Sequence, residues 1–536
     1  MAVSIFNDCL GPVMRGASSS HCAAALRIGR LARDLMCGEI AEVLVEFCLS
    51  GSLPTTHQSQ GSDMGLFGGL LGWDAADERL QFGAQALADA GIEVKFAYRD
   101  FGDLHPNTYR LTLTCGKNQR SLIAISTGGG MIELLSLDGC DLRGTSSRLD
   151  GGCYIWIVNP NQLDELELAG LVSEIETIPD VQNVWLAVVE DDSSEKRLFV
   201  TSTNSSIFTH QRKPAGLVLS PENCVLLEPV LPVLSPSLDT RPFRTCSELL
   251  MQVDASERRL SDFAVEYEMA RGQMTEDEVR SKMIELIAIW RRSMEIGLAG
   301  TNFEDRILGA QSLQYADAMR RGKLLDSGVL NRIVWYVSAM MEVKSSLGVI
   351  IAAPTAGACA ALPGALLAMA DDRGDSDETL VDAFLSAGLV GVFIAEQWTF
   401  AAEVGGCQAE GGAAAAMAAA ALVTLAGGSA VEATNAAALA LQSMLGLICD
   451  PVASRVEVPC LGKNVMAASN AVCCANMALA GYSVVIPLDE VIAAARSVSA
   501  LMPRELRCTA LGGLATTPSA REVERRLFQI TIPASE

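Results

Sequence analysis

Aromatic side chains are scarce in this sequence: 5% of 536 residues, although half of the residues are hydrophobic. The core must therefore be built from small aliphatic side chains, which let helices approach one another closely. Histidine is scarcer still, with His21, His57, His105 and His210 alone, and a lone histidine serves structure more often than catalysis. Basic residues are outnumbered, 40 Lys and Arg against 64 Asp and Glu, for a net charge of −24. That balance excludes nucleic acid and anionic membrane surfaces as partners. Met1 to Gly11 holds no basic region followed by an apolar run, so no secretory signal is expected and the cytoplasm is the expected compartment. The sixteen cysteines then read mostly as reduced core residues, Cys473 and Cys474 included, rather than as a disulfide framework.

Two apolar segments invite a membrane reading. Leu347 to Ala370 carries no charge, but Pro354 and Pro363 break it; Gly411 to Ser429 is mostly Ala and Gly, which transfer weakly into lipid. Both are expected to be buried inside the protein, with no membrane partner.

The chain is long enough for about two to four domains, and no internal repeat of fixed period is present. Residues 1–148 read as an α/β domain: a helix near Cys22–Cys37, a strand at Glu42–Ser50, a loop from Gly51 to Asp63, a helix near Asp77–Ala90, then strands at Glu93–Tyr98, Thr108–Leu113 and Arg120–Ser126. The serine run before the first helix offers hydroxyls to cap it. Within 149–213 the order is strand, helix, strand, strand (Tyr154–Val158, Leu163–Thr177, Val184–Val189, Arg197–Thr201). Residues 214–244 are proline-rich and read as a linker. From 245 to 536 the pattern is helical, with charged amphipathic stretches at Arg280–Ala299 and Asp305–Leu324 before an Ala/Gly-rich core at 347–482.

Three cysteines stand beside glycine or proline in that core: Cys407 in Gly-Gly-Cys-Gln-Ala-Glu-Gly-Gly, Cys449 in Cys-Asp-Pro-Val-Ala and Cys460 in Val-Pro-Cys-Leu-Gly-Lys-Asn. Cys407 and Cys460 lie at the mouths of expected helices, whose N-termini favour thiolates and anionic clusters. Three such thiols without an obvious fourth partner suggest a metal centre with one open position, as catalysis requires. A structural zinc site is the alternative for the same thiols.

These motifs resemble those of the iron–sulfur-dependent L-serine dehydratases, and further matches lie upstream. Ala353-Pro354-Thr355-Ala356-Gly357-Ala358 resembles the family's Ala-Pro-Thr-Asn-Gly-Ala. Gly16-Ala17-Ser18-Ser19-Ser20-His21 resembles Gly-Pro-Ser-Ser-Ser-His, and Thr127 to Glu133 resembles Gly-Gly-Gly-Asn-Ile-Glu. The resemblance implies a single chain joining a beta-type α/β substrate-contacting domain to an alpha-type, mostly α-helical catalytic domain, with a small, degenerate ACT-like α+β module between them. It implies that Cys407, Cys449 and Cys460 hold a [4Fe–4S] cluster, without pyridoxal phosphate. The open iron would act as a Lewis acid on the hydroxyl of a small β-hydroxy amino acid, L-serine giving pyruvate and ammonia. A homodimer is the expected assembly.

Several substrate-handling residues follow. His21 closes a serine run before a helix, where N–H groups and hydroxyls can bind a carboxylate, so Ser18, Ser19, Ser20 and His21 are the catalytic candidates. The resemblance adds Thr355 as a wall of the site, and His105 and Asn107 from His-Pro-Asn-Thr. In the Gly51–Asp63 loop the sequence departs from the family. Lys-Gly-His-Gly-Thr-Asp is replaced by Gln58-Ser59-Gln60-Gly61-Ser62-Asp63, with His57 just before it. Neutral amides in place of two potential cations leave His57, Gln60, Gly61 and Asp63 as substrate-contact candidates. They also leave open threonine or a hydroxymethyl dicarboxylic acid as the substrate.

Some family members end in a cysteine that folds back onto the open iron. This chain ends Pro-Ala-Ser-Glu, and Cys508 is the candidate substitute as a fourth resting ligand, with Gly512 and Gly513 allowing the segment to turn back. Lys344 and Lys463 raise the question of a pyridoxal phosphate Schiff base, but neither lies in a phosphate-cradle context. A sensor that kept the fold and lost activity is the reading from another class, and the intact cysteine motifs argue against it.

Overall fold

The computed structural model describes residues 2–143, 149–160, 163–189, 192–208, 223–235, 240–253 and 258–531. His210 and much of the expected linker, Pro214 included, lie outside them. Among the described residues a ten-stranded mixed sheet dominates the N-terminal part, and helices dominate the rest.

The first part of the sheet comprises Glu42–Cys48, Glu93–Arg99, Thr108–Cys115, Asn118–Gly128, Met131–Leu137 and Cys140–Asp141. Glu42–Cys48 pairs parallel with Glu93–Arg99 and antiparallel with Thr108–Cys115. Alternation drives its packing: Val43, Val45 and Phe47 are buried, as strand period dictates. The helices Ala24–Leu35 and Ser62–Leu70 cross in close contact. Only glycine fits that crossing, since a β-carbon on Gly65 would lie 1.9 Å from the Cys22 carbonyl oxygen and one on Gly69 2.1 Å from that of Leu26.

The strand, helix, strand, strand order after residue 150 is present as Tyr154–Val158, Glu165–Glu176, Val181–Val189 and Asp192–Ser202. A capping box of Asp164 and Glu167 starts its helix. Cys224–Leu227 adds to the edge beside Tyr154–Val158, and one pairing, Cys140 with Val189, joins these strands to the first part of the sheet.

In the helical part, Ala413–Leu425 is buried at every position. It contacts Asp377–Gln397, Ala430–Gln442, Cys460–Leu479 and Ala361–Arg373. Its small side chains permit those close neighbours, as the aromatic-poor composition requires. Among the described residues one helix, Asp377–Gln397, is long and apolar enough to cross a membrane by composition, and 78% of its apolar window is buried inside the protein. Leu347–Ala370 is divided between a short strand, a 3-10 turn and the start of Ala361–Arg373, while Gly411–Ser429 is mostly the helix Ala413–Leu425; both are mostly buried, as expected. The amphipathic stretch expected at Asp305–Leu324 narrows to a helix at Ser312–Arg320. Carboxylates fix the chain before it: Glu457 accepts from the backbone N–H groups of Ile307 and Leu308, and Glu342 from those of Gln311 and Ser312.

The N-terminal segment threads into these helices. Ser4 Oγ donates to Glu268 at 2.6 Å, the Asn7 amide exchanges hydrogen bonds with the Val233 backbone, and Val13–Met14 pairs antiparallel with Ile350–Ile351. The next residues are thereby carried to the Ala353–Ala358 loop, where Ser19 Oγ accepts from the Ala356 N–H at 3.1 Å.

Candidate active site

Each cysteine motif is held by its own flanking residues. Gly406 reaches φ = 69°, and a β-carbon there would stand 2.7 Å from Met502 Sδ, so glycine is required before Cys407. Gln408 then ties this turn to the Cys449 segment. Its N–H donates to the Leu447 carbonyl at 2.9 Å, its Oε1 accepts from the Gly446 N–H, and its Nε2 donates to Ser499 Oγ at 3.0 Å. Cys460 opens the helix Cys460–Leu479. Asn464, one turn later, accepts from the Ala360 and Ala361 N–H groups and donates to the Gly357 carbonyl, clamping this helix to the Ala-Pro-Thr loop.

The geometry brings the thiols together. Cys407 Sγ, Cys449 Sγ and a Glu410 carboxylate oxygen lie within 4.8 Å of one another. Cys508 belongs to the same buried cluster as Cys407 and Cys449, and Cys460 lies within electrostatic reach of Cys407 and Glu410. Hydrogen bonds with Cys407 and Cys508, then burial, push the Cys449 thiol well up. Lys463 places its ammonium 3.5 Å from Cys407 Sγ, 2.9 Å from Asp450 Oδ1 and 2.6 Å from the Ile448 carbonyl. Burial alone would lower its pKa; Cys407 and Asp450 more than offset that, and the lysine stays charged. Thiols from separate segments, a helix N-terminus and one half-buried cation make a donor set suited to a thiolate-held metal or iron–sulfur group.

His21 is fully buried. Thr56 Oγ1 spends its proton on the Ser52 carbonyl at 2.8 Å, so at 2.9 Å it accepts from His21 Nε2–H. Nδ1 is then the bare nitrogen and accepts from Ser18 Oγ at 3.1 Å. The serine hydroxyl therefore serves the histidine and not, as the sequence suggested, the helix start, where Ser18 makes no side-chain cap. Burial, with a smaller push from His57, lowers the His21 pKa to about 3 and keeps the ring neutral.

The altered loop splits in two. His57 is held between Asp63 Oδ1 at 2.6 Å and Tyr98 OH at 2.9 Å, and it stacks on Phe96. Both ring nitrogens are used, and His57 is part of the loop's frame. Gln60, buried, turns the other way and donates to Cys508 Sγ at 3.7 Å. Gly61 supplies the left-handed turn between them, at φ = 87°. His105 accepts from the Asn107 N–H, and burial lowers its pKa to about 4. Lys344 is buried against the Val456 carbonyl. A cavity of about 170 Å³ opens beside the loop, lined by Gln58, Ser59, Gly61, Lys344 and Arg455 among others. Larger cavities, of about 460 and 500 Å³, lie away from the thiols.

Two glutamates flank the first cysteine, Glu403 buried and Glu410 half-buried, and neither was among the expected site residues. Glu403 Oε1 stands 3.5 Å from His21 Nδ1. Glu410 is pushed up to about 7, by burial first and then by Glu403, against a hydrogen bond from Thr355. The signal was present in Ala-Glu-Val-Gly-Gly-Cys-Gln-Ala-Glu: charged residues inside a run of small apolar ones are costly unless they are used.

Residues 255–515 match the family model described as serine dehydratase alpha chain. The chain is similar to the probable L-serine dehydratase, alpha chain, of Bacillus subtilis, 37% identical over 286 residues that cover 53% of this chain and 95% of that protein. It is also similar to the L-serine dehydratase, alpha chain, of Peptoniphilus asaccharolyticus, 34% identical over 268 residues, 50% of this chain and 92% of that one. A further 43% identity over 140 residues, 26% of this chain and 62% of the relative, relates it to the probable beta chain from Bacillus subtilis.

Proposed function

The chain belongs to the L-serine dehydratase family of lyases, with alpha-type and beta-type parts in one polypeptide, and on that footing we propose that it dehydrates L-serine on a [4Fe–4S] cluster held by Cys407, Cys449 and Cys460. The observation that carries this reading is the gathering of Cys407 and Cys449 in one cluster, with Cys460 in electrostatic reach of Cys407 and Lys463 beside them. When bound, such a cluster supplies a Lewis-acidic iron, free of protein thiolate, that makes the substrate hydroxyl a better leaving group.

This chain's own residues do the rest. Ser18 and His21 form the proton-handling pair: the neutral imidazole accepts from the hydroxyl, and Thr56 fixes its tautomer. Ser19 joins the N-terminal segment to the Thr355 loop and closes the site between them. Loss of the α-proton and the β-hydroxyl as water leaves 2-aminoacrylate. That product tautomerises to the imine and takes up water to give pyruvate and ammonia. Gln60 and Asn107 supply amides for substrate oxygens.

Residues 1–148 form the beta-type part and 245–536 the alpha-type part. The βαββ segment between them is a degenerate ACT-like module, supported by its element order. The neutral Gln58–Gln60 run favours a second reading, the same chemistry on another β-hydroxy acid. Anaerobic purification followed by assay against a panel of β-hydroxy acids tests both. A brown protein that forms pyruvate from L-serine is the expected result; a colourless zinc protein would sink the proposal.

A further inference from the structure

Glu403 is a buried acid without a cation. It is 6% exposed, no Lys or Arg pairs with it among the described residues, and its Oε2 has no hydrogen-bond partner. Its neighbour His21 cannot serve, because the ring is neutral and its Nδ1 carries no proton. Asn107, fully buried, lies beside it. Its Oδ1 accepts from Ser52 Oγ, which fixes the amide orientation. Its Nδ2 has no partner in hydrogen-bond geometry; burial pushes the Glu403 carboxyl above its usual range, and the Asn107 amide nearby works against that. Glu403 also stands within electrostatic reach of Glu410 and Cys508, so the pair adjoins the thiols.

A buried carboxylate is stable when a cation and hydrogen bonds satisfy it. No Lys or Arg among the described residues neutralises Glu403, so a cation that holds it in its charged form would arrive with the ligand. An unpartnered amide N–H beside it asks for an oxygen at the same moment. Ammonium and oxygen side by side describe an α-amino acid.

We propose that Glu403 receives the α-ammonium group of the substrate while the Asn107 amide donates to a substrate oxygen beside it, so that this pair selects amino acids over hydroxy acids of the same size. The inference rests on the dehydratase reading and answers the question the altered loop leaves open. The loop's lost cations concern the carboxylate end of the substrate, whereas Glu403 reads the amine.

The test compares wild type with Glu403→Gln, anaerobically, for kcat and KM on L-serine and for inhibition by 3-hydroxypropanoate, which lacks the ammonium. Losing a charge-assisted hydrogen bond should raise KM for L-serine on the order of tenfold to a hundredfold. The visible spectrum, iron content and inhibition by 3-hydroxypropanoate should stay as in wild type. Equal weakening of both ligands would make Glu403 a prop for His21 and overturn the proposal, as would an unchanged KM for L-serine. If Glu403→Gln does not fold, Glu403→Asp keeps the charge and should keep the preference for L-serine; loss of that preference in a folded, iron-loaded Asp variant overturns it equally. Wild type that dehydrates hydroxy acids and no amino acid would overturn the serine reading itself. Serine turnover with an indifferent Gln variant overturns this inference alone.

Discussion

The Cys508 N–H donates to the Cys449 carbonyl at 3.0 Å, while the Cys449 N–H donates to the Leu506 carbonyl at 2.8 Å. This short parallel bridge lays the C-terminal segment along the Cys-Asp-Pro motif. Cys508 is held at φ = 60°, a left-handed conformation that costs a non-glycine residue about 1–3 kcal/mol. Its thiol joins Cys407 and Cys449 in one buried cluster, and Gln60 donates to it from the other side. That placement supports the proposal that Cys508 is a fourth ligand at rest.

Replacement of that thiol separates a ligand from a packing residue. Cys508→Ser should keep the cluster, speed its oxidative loss in air, and change the visible spectrum of the substrate-free form only. An unchanged substrate-free spectrum and unchanged air sensitivity would mean that another group fills the fourth position.

Lys463, half-buried, pairs with the buried Asp450 and also reaches Cys407, and Asp450 Oδ2 accepts from the Leu514 N–H to anchor the C-terminal turn. Lys463→Met should destabilise the protein by about 3–5 kcal/mol, because it leaves a buried carboxylate unpaired. Adding Asp450→Asn should recover part of that loss in denaturant midpoints. A double variant no more stable than Lys463→Met would show that the charges are not coupled.

His21→Ala should lower kcat/KM by about two to four orders of magnitude with the cluster spectrum intact. Near-native kcat/KM would reduce the serine run to a structural turn.

The same histidine links stability to pH. Its folded pKa is about 3, lowered mainly by burial, against about 6.5 unfolded. Between those values the unfolded chain binds a proton that the folded chain does not. Its contribution is therefore fully present above pH 6.5 and is lost as pH falls, by at most about 1.4 kcal/mol per unit. Asp8, pushed up to about 7 by burial, acts in the opposite sense: its contribution is lost as pH rises towards 7. Guanidinium midpoints of wild type and His21→Asn from pH 7.5 to 5 should diverge, the wild type losing more stability towards acid; parallel curves would contradict a buried neutral ring.

The thiol motifs were legible because each carries its own scaffold within a few residues: Gly406 and Gln408 around Cys407, Lys463 and Asn464 after Cys460. The helices around them were legible for the same local reason, and Ala413–Leu425 and Cys460–Leu479 fall close to where alanine runs and glycine stops place them. Contacts across hundreds of residues were not. Nothing in the local pattern says that Ser4 meets Glu268, that Gln60 meets Cys508 or that Glu403 meets His21. Ser18 failed for a local reason: a cap and a hydrogen bond to His21 compete for one hydroxyl, and the ring prevails. His57 read as a substrate contact because only the packed sheet reveals Asp63, Tyr98 and Phe96 around it.

The central claim is that a cluster on Cys407, Cys449 and Cys460 keeps one iron for the substrate. Mössbauer spectra of the anaerobic enzyme loaded with enriched iron, recorded with and without L-serine, test it most directly. One iron site in four should change its parameters when L-serine is added, and single Ala variants of the three cysteines should lose most of the iron. Identical spectra with and without L-serine, or full iron retention in any one of those variants, would contradict it.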